Sequence, residues 1–89
     1  MKTIWKFPFP ITDEVKIEMP ENAWILGVQV QRECPCIWAL VDPKAEMKPR
    51  SFRVFGTGQP IDTGIDYDFI GTFQIHGGAL VLHLFEFPP

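Results

Sequence analysis

A single serine, a single tyrosine, two histidines and two cysteines leave this 89-residue chain poor in nucleophiles and proton carriers. No histidine–carboxylate pattern surrounds Ser51 or either cysteine, so neither a serine-type nor a cysteine-type nucleophile is indicated. Asp62, Asp66 and Asp68 cluster, but acid–base work needs one desolvated carboxylate, and these three fall in a polar loop. The chain is therefore read as a non-enzyme without a cofactor. Basic residues are also scarce. Eight against eleven acidic ones leave a net charge of -3, which argues against the broad basic face that nucleic-acid backbones require. No apolar run approaches the ~20 residues of a membrane span. The opening MKTIWKFPFP lacks the apolar core and small-residue cleavage site of a signal peptide, so a cytosolic protein is expected.

Cys34 and Cys36 flank Pro35 in an expected turn. A disulfide across one residue would be badly strained, and a reducing cytosol favours two free thiols. With His76 and His83 they match no recognised zinc spacing, so no metal is expected.

What is abundant is apolar surface: 46% of the chain is hydrophobic, with eight phenylalanines and three tryptophans. A chain of this length forms one domain, residues 1–89, and buries only about 60 to 65% of its unfolded surface. Part of the apolar excess is therefore expected to face another copy, making a homo-oligomer. The periodicity is two, not 3.6. Residues 2–7 read as a strand ended by Pro8 and Pro10. In residues 14–18, Val15 and Ile17 alternate with Lys16 and Glu18. Leu26, Val28 and Val30 alternate with Gly27, Gln29 and Gln31. Residues 36–41 are apolar on both faces, which marks a covered central strand or one whose outer face meets another subunit.

A loop is expected from Asp42 to about Pro49. In residues 50–57, Phe52, Val54 and Gly56 share one face and Ser51, Arg53 and Phe55 the other. Residues 67–75 and 79–87 form a hairpin around Gly77 and Gly78, which accept the positive φ of tight turns. Seven strands without a crossover helix predict an all-β domain, a small antiparallel sandwich or a partly closed barrel.

Read in order, IWKF, VQVQ, CIWALVDP, VFGTG with QPI, FIGTFQ and LVLHLFE span nearly the whole chain. Together they resemble a family of short, functionally unassigned proteins of tailed phages and prophages. That resemblance implies an accessory protein acting by binding, such as an inhibitor of bacterial defence. In size and style the chain is similar to oligomeric sponges that sequester nucleotide immune signals, although no motif carries that likeness.

The residues suited to an anionic ligand follow. Gly56, Thr57, Gly58 and Gln59 leave backbone N–H groups and a hydroxyl free for an anion. The plainer reading of the same residues is a tight turn needing positive φ. Arg53 supplies a guanidinium on the adjoining strand, whereas Arg50, three residues earlier, points to the opposite face. Trp5 and Trp24 are freer than Trp38, which is assigned to the core; Trp5 is taken as the stacking partner for a base. Gln29, Gln31 and His83 complete the set as readers of polar edges, His83 being equally suited to a structural hydrogen bond. The expected function is sequestration of a small nucleotide-like anion between subunits in the host bacterial cytosol. The alternative is a protein-binding inhibitor that masks a host defence enzyme through a sheet edge or apolar patch.

Overall fold

The computed structural model describes residues 1–87. Seven strands run in order: β1 Thr3–Pro8, β2 Glu14–Pro20, β3 Trp24–Gln31, β4 Cys34–Val41, β5 Met47–Gly56, β6 Asp68–Ile75 and β7 Leu80–Glu86. They make two antiparallel sheets, β1-β4-β3 and β2-β5-β7-β6, packed as a sandwich without a closed barrel. Among the described residues the one helical element is a single 3-10 turn, His76–Gly78, inside the β6–β7 hairpin. Gly77 (φ 65°) and Gly78 (φ 92°) take the positive values that the glycine pair predicts.

Strict alternation fills the space between the sheets. Val28, Ile37, Ala39 and Val41 come from the three-stranded sheet, and Val15, Met19, Phe52, Val54, Phe73, Ile75 and Leu84 from the four-stranded one. Phe9, just past β1, closes one side edge-on to Phe73 at 6.0 Å between ring centroids. The outward face of the four-stranded sheet carries a second aromatic layer. There Tyr67 packs edge-on against Phe55, Phe85 and Phe87 at 5.3–6.1 Å, which leaves Phe55 only 3% exposed.

Three expectations are corrected. The loop after Asp42 ends earlier than Pro49, because β5 begins at Met47 and carries Pro49 within it. Proline is tolerated there because β7 stops opposite Phe52, so at Pro49 the strand has a neighbour on the β2 side alone. The turn assigned to Cys34-Pro35-Cys36 lies instead at Arg32 and Glu33, both at positive φ (51° and 63°), while Cys34 and Cys36 already belong to β4. Trp38 is not core: Ile37, Ala39 and Val41 take the inward positions, so Trp38 alternates outward, half-buried, with the Lys6 ammonium 6.0 Å from its ring centre.

At one corner the edge strands β3 and β6 approach without forming a ladder. A Cβ on Gly71 would sit 2.9 Å from Cγ1 of Val28, closer than a stiff β-branched side chain can yield. Alanine ordinarily gains about 0.5 kcal/mol or more over glycine in a strand interior. Here the sign is expected to reverse, with Gly71→Ala losing about 1–3 kcal/mol through overpacking. Urea unfolding of Gly71→Ala, Val28→Ala and the double variant would check this, since the loss from Gly71→Ala should largely vanish when Val28 is already truncated.

Candidate functional site

Away from the Gly71–Val28 contact the same corner opens into a cleft of about 530 Å³. Both strands that border it are bulged. The β3 register slips between Ile25 and Gly27, and the β6 register between Phe69 and Gly71. A bulge bends its strand and interrupts pairing, so each edge turns away just where the other would have met it. Trp24 (67% exposed), Leu26 (51%) and Phe69 (60%) stand around the opening.

Arg50 and Glu86 lie at the cleft floor. Both are in phase with core positions, Arg50 with Phe52 and Val54, Glu86 with Leu84, so neither can reach open solvent freely. They satisfy each other in a two-point pair: the Arg50 Nε–H donates to Glu86 Oε2, and Nη2 donates to Oε1 at 2.9 Å. Nη1 donates to the Ala23 carbonyl at 2.8 Å, fastening β5 to the start of β3. The hydrogen bond with Glu86 raises the guanidinium pKa above its ordinary value, partly opposed by burial. Arg50 thus stays charged with all three of its nitrogens engaged, a brace and not a vacant anion receptor. Asp68 adds an exposed carboxylate at the rim.

The residues that the sequence nominated for an anionic ligand fall on three surfaces. Trp5 faces inward and packs against the core. Gln29 and Gln31 lie on the outward face of the three-stranded sheet, where Gln31 Oε1 accepts from Lys6 Nζ at 2.7 Å. Arg53, Thr57 and His83 share the outward side of the four-stranded sheet. A single chain does not gather the set into one pocket.

The Gly56–Gln59 segment closes on itself. The Gln59 N–H donates to the Gly56 carbonyl (3.1 Å), while Gln59 Oε1 accepts from the Gly56 N–H (2.9 Å). Gly58 at φ 86° meets the demand of a type II turn. Two of the amides that would have faced an anion, those of Gly56 and Gln59, are therefore taken. Both ring nitrogens of His83 are occupied, Nε2 with Thr57 Oγ1 (2.8 Å) and Nδ1 with Thr72 Oγ1 (2.9 Å). Arg53 lies over the rings of Phe55 (5.1 Å) and Phe87 (5.5 Å) and reaches Glu14 at 3.6 Å.

Both cysteines are free, Cys34 exposed and Cys36 buried. Burial, then the neighbouring Cys34, pushes the Cys36 thiol up from its ordinary range, keeping it protonated at neutral pH. Among the described residues no three His, Cys, Asp or Glu side chains are grouped to hold a metal ion.

The profile of a family described as a domain of unknown function, DUF7352, matches the chain over residues 1–89. The chain belongs to that family. No curated protein and no solved structure matches it.

Within this DUF7352 domain Trp24 stands free of the core, as its place after a turn implies, whereas the other cleft residues escaped the nomination, though two signals for them were present. A charge in phase with a buried face demands an opposite partner, and Arg50 and Glu86 are such a pair. An isolated glycine inside a strand marks a bulge or a close approach, and Gly27 and Gly71 mark both.

Proposed function

We propose that this domain is a non-catalytic binding module whose working surface is the cleft between β3 and β6, and that its partner is a protein. The observation that carries this reading is the convergence of Trp24, Leu26 and Phe69, each more than half exposed, on one concavity between unpaired strand edges. Large apolar side chains cost free energy when left in water, and a contiguous group of them beside a cleft marks an interaction site. The resemblance to short phage proteins supports a bacterial target, with masking of a host defence enzyme or complex as the proposed outcome.

Sequestration of a nucleotide-like anion between copies is the competing reading. It would have to release the internal bonds of Gly56, Gln59, Gln31 and His83 or assemble a pocket from two chains. Affinity capture from bacterial lysate separates the two. A protein retained by the wild type and lost from a folded Trp24→Ser/Phe69→Ser variant is expected. Calorimetric heat with cyclic ADP-ribose isomers or cyclic dinucleotides, unchanged in that variant, would instead favour anion capture. Native mass in each case tests the expected homo-oligomer.

A further inference from the structure

Side chains of successive strand residues point to opposite faces, so a surface lying against one face of a strand touches every second residue. The cleft is lined by residues 22–27, of which 24–27 are consecutive residues of β3, and by three consecutive residues of β6, 68–70. Unbroken runs border a cavity where the strand presents its edge to it or where a bulge turns neighbours to one side, and here both hold. Both strands are edge strands, and among the described residues no backbone hydrogen bond joins one to the other. The cleft wall thus includes the backbone N–H and C=O groups of residues 24–27 and 68–70 that point away from β4 and β7, flanked by Trp24 and Phe69 outside and by Ile25 and Ile70 within.

Resting on the binding-module reading above, we propose that the occupant is an extended polypeptide segment that adds to this corner as a further strand. Unpaired edges are satisfied by another strand's backbone, which gives affinity, while flanking pockets read alternate side chains. The four lining residues of β3, 24–27, span about 13 Å, so the segment that pairs is about four residues long. Its alternating side chains fall on two environments: the inward set on the Ile25–Ile70 floor, the outward set between Trp24 and Phe69.

Charge names the rest of its chemistry. Arg50 is neutralised by Glu86, which leaves Asp68 as the uncompensated charge in the lining, two residues after Asp66. The segment therefore carries apolar or aromatic residues alternating with at least one lysine or arginine at the rim.

The test is selection of a random library of displayed eight-residue linear peptides on the wild type, with counter-selection on the Trp24→Ser/Phe69→Ser variant. Expected are peptides alternating apolar with basic residues and binding the variant at least tenfold more weakly. N-methylation of every second amide in one register should reduce affinity a further hundredfold or more, and bound peptide should slow amide hydrogen exchange within residues 24–27 and 68–70. Peptides that need Trp24 and Phe69 but tolerate N-methylation in both registers, or that are acidic, would overturn strand addition and leave the binding module standing. Recovery of no peptide, alongside a lysate protein captured through Trp24 and Phe69, would do the same by pointing to a folded partner surface. Peptides indifferent to Trp24 and Phe69 would overturn both.

Discussion

Phe52→Ala is expected to cost about 3–5 kcal/mol, the largest effect of any single truncation in this domain. Phe52 is fully buried at the middle of β5, and β5 is the strand that holds β2 on one side and β7 on the other. Its ring is opposite Val15 on β2 and near the Arg50–Glu86 end of the sandwich through its register with Glu86. Alanine there removes the transfer free energy of the ring and leaves a void that two sheets cannot collapse to fill. A domain of this size has only about 5–15 kcal/mol to lose. Guanidinium unfolding should therefore show a midpoint far below that of the wild type with a similar slope. A loss below about 1 kcal/mol would mean that the sheets pack less tightly than described.

The second large effect is expected at the brace. Glu86→Ala strands a guanidinium that is only 24% exposed, and one hydrogen bond to the Ala23 carbonyl cannot replace two to a carboxylate. Breaking a fully buried pair costs about 3–5 kcal/mol. With both side chains partly exposed, water recovers part of this, and about 2 kcal/mol is expected. The informative comparison is the double replacement Arg50→Met/Glu86→Leu. Apolar residues of similar volume avoid the desolvation cost, so the double variant should be more stable than Glu86→Ala alone. If the two are equally destabilised, shape and not charge holds that end of the sandwich.

Where the strands lie was largely legible because alternation is a physical necessity of a pleated chain. Val15 and Ile17 against Lys16 and Glu18, or Phe52 and Val54 against Arg53, sort by face without any knowledge of what covers them. What covers them was not legible. Residues 36–41 read as apolar on both sides, and sequence could not tell that Ile37 points to the core while Trp38 points outward. Turns were readable where chemistry announces them, as at Gly77-Gly78, and unreadable at Arg32-Glu33. There, ordinary side chains are held at positive φ by the ladder on either side. The cleft was hidden for a related reason: it exists because two strands distant in sequence bend apart, and only Gly27 and Gly71 hint at the bends.

The order of strands in the sheets also governs how the domain can be made. Within the domain the first strand, β1, finds its partner in β4, and β2 finds its partner in β5. Neither can settle as it leaves the ribosome, because the surface it needs has not yet been translated. The four-stranded layer is complete only when β7, the last of the seven described strands in sequence order, slots between β5 and β6. Folding of this domain therefore waits until all seven strands have been translated, and a nascent domain halted before β7 would expose the inner faces of both layers to chaperones and proteases.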